Sequence, residues 1–302
     1  MRLMLKEQLA KNLSTQETAS RLSQHLSKNS TPYTDPLSQL NWSELNFNAF
    51  WLPEQAISIY GTTEYQQLSR VQKIQLSQCE FINFIQAGFW LETLFMARIS
   101  NSLRIRHKHI SESIYHLHEL REEAGHSLMF LELIKRCVQF SPNTDFHKLN
   151  FANFIARFAR FDSLAFWIAV LVGEETPDRI NRMIRKHHNE ICPVIYKLST
   201  IHSIDEARHI AHAKEVIQQR VTSTGTIQKF FYNRVLSKVT TDFVSAFYYP
   251  KNTVYYTAGL SQSTDWERLT KASMTRNKFV SECIQPTLRT LRNCGIDIDL
   301  KV

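Results

Sequence analysis

Apolar residues recur at helical spacing through LSRVQKIQLSQCEFINFIQAGFWLETLFMARIS (68–100) and predict a long helix beginning near Glu64. A second, ISESIYHLHELREEAGHSLMFLELIKRCVQF (110–140), opens at a Ser111 cap and closes before Pro142. A third runs through NFANFIARFARFDSLAFWIAVLVGEE (150–175). Thr176-Pro177 then reads as a break or kink, because proline lacks a backbone donor but suits the first position of a new helix. A fourth helix starts at Pro193 and reaches about Arg220. Two further helical segments, near 225–247 and 264–292, flank the aromatic loop YYPKNTVYYTAG, and the first forty residues read as a short amphipathic helix followed by the polar loop SKNSTPYTDPLS. Four long helices joined by polar loops predict an all-α bundle. The chain reads as one helical domain over 1–302, with a four-helix core at about 65–220, an N-terminal extension (1–64) and C-terminal helices (221–302).

Composition agrees with this and narrows the partners. With 302 residues, 43% of them apolar, and only 7 Gly and 8 Pro, there is material for a sizeable core and few places for tight turns. Lys6 and Glu7 interrupt the N-terminal apolar run, and the longest apolar block, LAFWIAVLVG from Leu164, is too short to span a bilayer, so a soluble, cytoplasmic protein without a secretory signal is expected. Five dispersed cysteines (Cys79, Cys137, Cys192, Cys283, Cys294) include no Cys-x-x-Cys pair and read as reduced core filler. The formal charge of +8 is scattered, with local concentrations only in LRIRHKHI (103–110) and NRMIRKHH (181–188), which fits a solvated face or an acidic redox partner better than nucleic acid.

The chemistry lies in what the apolar stripes contain. Glu123-x-x-His126 and Glu206-x-x-His209 are the only two Glu-x-x-His matches, one on the second long helix and one on the fourth. An offset of three puts both side chains on one face, where each pair can grip a metal ion. Two-metal sites in four-helix bundles need one more inward glutamate from each remaining helix. Glu92, among Phe89, Trp90 and Leu91, is the candidate on the first helix, with Glu80 as a less buried alternative; Glu174 and Glu175 follow the most apolar run on the third. Four carboxylates in a dry core repel one another and take up protons, whereas two divalent cations cancel their charge. Imidazole and carboxylate donors suit iron or manganese, and two iron ions are the expected cofactor. His202 lies one turn before Glu206 on the same face and supplies a third imidazole.

In the order Glu92, Glu123 with His126, Glu175, then His202 with Glu206 and His209, the sequence resembles the AurF-type para-aminobenzoate N-oxygenase family of di-iron proteins over about residues 65 to 220. The resemblance implies a ferritin-like bundle, favours Glu175 over Glu174, and implies an O2-dependent oxygenase that oxidises an amine nitrogen toward hydroxylamine or nitro products. It also implies a homodimer, placed here through the helices after 225. Di-iron C–H hydroxylation or desaturation of an amino acid or acyl substrate, and a non-catalytic iron-binding bundle, are the alternatives. No Gly-x-Gly-x-x-Gly strand-helix unit or Cys-rich cluster is present, so electrons are expected from a separate reductase or ferredoxin.

Around the ligands, Glu122 and Asp205 each directly precede a ligating glutamate and are candidates to orient ligand imidazoles. Gly88, one turn before Glu92, leaves room for substrate, with Phe84 and Phe89 as walls and Asn181 and Arg182 as polar candidates. The turn FIQAGFW carries no Arg or Lys to pair with a substrate carboxylate. Glu119 and Glu122 otherwise read as a solvated face, and His116, His118, His187, His188 and His212 as exposed or loop histidines.

Overall fold

The computed structural model describes residues 20–105, 110–142, 157–222 and 225–298. Nine named helices follow in chain order: α1 (Thr63–Gln67), α2 (Arg70–Ile105), α3 (Ile110–Arg136), α4 (Leu164–Lys186), α5 (Pro193–Val221), α6 (Thr226–Tyr248), α7 (Asn252–Thr257), α8 (Trp266–Ala272) and α9 (Met274–Asn293). Residues 20–29 are also helical, before an irregular segment with short 3-10 turns. Helices α2 to α5 form the bundle, α4 packing most extensively on α5 and α2 on α3, while α6 and α9 lie against α4. Among the described residues no helix is long and apolar enough to cross a membrane.

Several boundaries differ from the sequence reading for local reasons. The first long helix does not begin near Glu64, because Ser69 breaks it. The Ser69 hydroxyl accepts from the Gln72 amide at 3.3 Å while Gln72 Oε1 accepts from the Ser69 amide at 3.0 Å, a reciprocal cap that starts α2 afresh. Ser111 lies inside α3, where its hydroxyl meets Ser20 and Gln24 of the N-terminal segment. The expected third helix is interrupted ahead of Ser163, which caps α4 through the Phe166 amide at 3.2 Å; residues 150–156 lie outside the described residues. Pro177 breaks nothing: α4 continues to Lys186. The turn holding it is buried, and the Tyr248 hydroxyl donates to the Thr176 carbonyl at 2.7 Å. Ser273 divides the 264–292 segment into α8 and α9, and the aromatic loop contains α7.

Two buried networks tie the segment before the bundle to its end. Glu80 accepts from the Ser58 amide at 2.9 Å, and Ser58 Oγ meets the Tyr255 hydroxyl, which in turn meets Thr270, both at 2.7 Å. The buried Arg276 donates to the carbonyls of Ala56 and Tyr248. Gln78, Cys79 and Glu80 are therefore buried, contrary to the expectation of a less buried turn, and Glu80 serves this network. The strand-like pairing of Phe50 with Ile191, with the Cys192 amide donating to Phe50 at 2.9 Å, fixes the N-terminal segment to the start of α5. Segment and helix also meet at Gly125: a Cβ there would come within 2.6 Å of the Tyr33 hydroxyl and 3.0 Å of Pro36, so the missing side chain lets the segment lie directly on α3. Cys79, Cys137, Cys192 and Cys283 are buried thiols outside any disulfide.

Candidate metal centre

Helices α3 and α5 run antiparallel with a constant register. His126 pairs with Asp205 across the interface, Glu122 with His209, and Glu119 with His212, each about one turn beyond the last. The 3.6-residue repeat thus carries every Glu and His of both motifs onto the shared seam.

Two groups of metal-binding donors result. Glu92, His126, His202 and Glu206 form one and Glu123, Glu206 and His209 the other, with donor atoms of each within 4.8 Å and Glu206 common to both. Their exposures run from 0% to 8%. Glu174 adjoins the second group: it sits beside Glu206 and Glu123, and burial followed by these two carboxylates pushes it well above the usual carboxylate range. Burial likewise pushes Glu92 up to about 7, although His202 opposes the shift.

Glu175, favoured for this position by the resemblance, points elsewhere. Its carboxylate accepts from Lys214 of α5 at 2.7 Å and lies 3.5 Å from Arg179. Successive helix residues project about 100° apart, so only one of the pair can face the seam. The lysine and arginine hold Glu175 on the other side.

The imidazoles are oriented for ligation. Asp205 accepts from His126 Nε2 and Glu122 from His209 Nε2, both at 3.0 Å. With Nε2 so engaged, each ring turns Nδ1 inward, the nitrogen that would bind a metal once it carries no proton. His126 Nδ1 lies 3.6–3.7 Å from oxygens of Glu92, Glu123 and Glu206, beyond hydrogen-bond distance. His209 Nδ1 lies 3.0 Å from Glu123 and His202 Nε2 3.1 Å from Glu206 without hydrogen-bond geometry, and no oxygen of Glu123 or Glu206 and neither inward Nδ1 has another hydrogen-bond partner. Buried donor atoms left without partners at such separations fit a divalent ion between them. The expectation for Glu122 and Asp205 as orienting groups agrees with this geometry, whereas the solvated face proposed for Glu122 does not: it is 1% exposed.

Sequence reasoning missed three neighbours. Arg208 bridges Glu122 (2.8 Å) and Asp205 (2.5 Å), linking the two orienting carboxylates. Despite burial, the hydrogen bonds and charges of the imidazoles and Arg208 hold both carboxyls below their ordinary range. Ser127 donates to the second oxygen of Glu92 at 3.1 Å. Phe130 packs on the His202 ring, with centroids 5.2 Å apart.

The expected substrate space is also relocated. A Cβ on Gly88 would meet Phe130 at 3.2 Å, so Phe130 fills that gap. Phe84 stacks on Phe81 and meets Phe247 edge-on in the core, and Phe89 is a partly buried core neighbour. Asn181 contacts His202, its amide nitrogen 2.8 Å from Nδ1, and Arg182 pairs with Asp178. Rotating the Asn181 amide presents its oxygen to Nδ1–H and frees His202 Nε2, which faces Glu92 and Glu206 at 3.2 and 3.1 Å, for a metal. An apolar pocket lies one turn further along α2, walled by Leu91, Phe95, Phe166, Val170 and Phe243, with Glu174 and Arg98 in its lining. His188 is exposed, as expected, and His187 is half-buried just after α4; His118 is instead half-buried within α3, and His116 and His212 are buried, as is Glu119.

Fold and seam together define a ferritin-like helical bundle whose buried carboxylates and imidazoles form a candidate two-metal centre. The chain belongs to the family of P-aminobenzoate N-oxygenase AurF, which it matches over residues 12–295. It is similar to the uncharacterized proteins Mb0909 of Mycobacterium bovis and Rv0885 of Mycobacterium tuberculosis, each 25% identical over 209 residues; the match covers 68% of this chain and spans 60% of each relative's length. Among solved structures, an R2-like ligand-binding oxidase variant with a non-activated Mn/Mn cofactor shares the fold at TM-score 0.51 and 14% identity, over 90% of this chain and 92% of that one.

Proposed function

We propose that the protein is a di-iron oxygenase that uses O2 to oxidise the nitrogen of an arylamine or related amine. The observation that carries this reading is the buried donor set Glu92, Glu123, His126, His202, Glu206 and His209, with Glu174 beside Glu206 and Glu123 and also lining the apolar pocket. Family membership supports the N-oxygenation. Glu92, His126 and His202 would hold one ion, Glu123, Glu174 and His209 the other, and Glu206 both. Manganese fits the same donors. Bound iron supplies the electrons that reduce oxygen and the Lewis acidity for its transfer to substrate.

The protein's own part is placement. Leu91, Phe95, Phe166, Val170 and Phe243 exclude water and accept a flat apolar body, with the amine at Glu174. Arg98 faces the same pocket, its guanidinium 5.5 Å from the Phe166 ring centre and donating to the carbonyls of Arg157 and Ala159. It supplies the cation absent from the turn before Glu92, so an anionic group opposite the amine suits the pocket. Asp205, Glu122 and Arg208 keep the ligand imidazoles aligned.

Electrons are proposed to come from a separate reductase or ferredoxin. A homodimer would cover Ile114, Leu117, Leu128 and Leu131, an exposed apolar stripe on α3, in place of the helices after 225.

The test is turnover of iron-reconstituted protein with a chemical reductant, O2 and a panel of arylamines, the products read by mass and by 15N labelling. Oxygen attached to nitrogen, with Arg98→Ala selectively weakening anionic substrates, is expected. Oxygen appearing only on carbon would replace this reading with C–H hydroxylation, and iron uptake without any product would leave a non-catalytic metal-binding bundle.

A further inference from the structure

One turn beyond the dinuclear set, the α3–α5 seam holds another cluster, His116, Glu119 and His212, whose donor atoms also lie within 4.8 Å of one another. The residues are 6%, 0% and 4% exposed. Glu119 precedes Glu123 by four residues and His212 follows His209 by three, so the cluster continues both ligand faces, about 4.5 to 6 Å along the helix axes.

Its geometry repeats that of the dinuclear centre. Glu119 Oε1 and His212 Nδ1 are 3.6 Å apart, too far to hydrogen-bond, as at His126. Neither oxygen of Glu119 has a hydrogen-bond partner, nor has His212 Nδ1, and the nearby Tyr115 hydroxyl is equally unengaged. A wholly buried carboxylate without a donor is costly unless a proton or a cation compensates it. Two donor atoms bound at about 2.0–2.1 Å to one tetrahedral ion stand about 3.4 Å apart, close to the observed separation. Aromatic walls enclose the site: the His212 ring lies 4.7 Å from Tyr115 and 5.0 Å from Trp167, and the His116 ring 5.3 Å from Phe161. Burial also drives the His212 imidazole down to about 3, which keeps it neutral.

We propose that His116, Glu119 and His212 form a third metal site, taking one first-row divalent ion of the zinc or ferrous class. Two imidazoles and one carboxylate are the donor set of three-ligand zinc and non-haem iron sites, and imidazole disfavours calcium and magnesium. The site shares no ligand with the dinuclear set.

The test starts from protein already carrying its two irons. Zn2+ is added, bound metal is counted after desalting, and crystals are measured at the zinc edge. One further equivalent, with an anomalous peak between Glu119 and His212, is expected; Glu119→Gln and His212→Leu should each lose that equivalent while keeping both irons. No zinc uptake at this position would show a hydrogen-bonded core triad only and overturn the proposal. Unchanged uptake in the two variants would do the same. Should a variant fold too poorly to keep its irons, the zinc peak in the unsubstituted protein decides alone.

Discussion

Removing Glu122 should loosen one metal position and spare the other. Its Oε2 accepts from His209 Nε2 at 3.0 Å, in a pair whose side chains are 2% and 0% exposed, so water cannot replace it. Loss of such an orienting partner costs about 10–100-fold in metal affinity, or about 1.4–2.7 kcal/mol. The enclosed geometry places Glu122→Ala toward the upper end. Asp205 does the same for His126 at 3.0 Å but is 17% exposed, so a water can replace part of its role in Asp205→Ala and the loss should lie nearer tenfold. The assay is iron retained against increasing chelator, followed by elemental analysis and by Mössbauer spectra of the two ions. Glu122→Ala should release the ion at Glu123, Glu174 and His209 first, and Asp205→Ala the one at Glu92, His126 and His202. Simultaneous release of both ions in each variant, or wild-type retention, would refute the idea that each carboxylate secures its own imidazole.

Other consequences are equally open to measurement. Glu174→Ala should drop retained iron from two ions per chain toward one, whereas Glu175→Ala, which breaks only the contacts with Lys214 and Arg179, should keep two; the reverse order would restore Glu175 as the ligand. Asn181→Asp should keep His202 ligated, because its oxygen can accept from Nδ1–H, while Asn181→Leu should weaken iron about tenfold by chelator competition. Equal retention in both variants would remove Asn181 from that role. Burial raises the Glu80 carboxyl from 4.5 to about 7 despite the opposing Arg276 and Ser58. A raised acid contributes stability that is complete below the unfolded value and lost as pH climbs to the folded one, so between pH 4.5 and 7 the wild type should lose about 3 kcal/mol relative to Glu80→Gln. Urea unfolding across that range would show it, and a pH-independent difference would contradict it.

The seam was legible because its signal is periodic. Two Glu-x-x-His pairs on long helices can face only one way once the apolar stripe is set, and Glu92, His202, Glu122 and Asp205, singled out from the same spacing, lie beside them. Glu174 against Glu175 was not legible, because adjacent helix positions differ by about 100° and the choice depends on Lys214, thirty-nine positions away. Glu119, His116 and His212 looked like surface residues for want of an Glu-x-x-His spacing, although each continues a ligand face; extending the stripe by one turn was the available signal. The substrate side was misread from Gly88, since an absent side chain marks a close approach as readily as a cavity, and Phe130 from α3 makes that approach. Pro177 was misread for a related reason: tertiary contacts such as the Tyr248 hydroxyl on Thr176 keep a helix going where local propensity would end it.

In the proposed dinuclear iron centre Glu206 is shared and Glu174 is the third-helix ligand. Crystals of iron-reconstituted protein measured on both sides of the iron absorption edge test it most directly. Two anomalous peaks are predicted, one among Glu92, His126, His202 and Glu206 and one among Glu123, Glu174, Glu206 and His209. Absence of iron at this seam, or iron held with Glu175 turned inward in place of Glu174, would contradict the account.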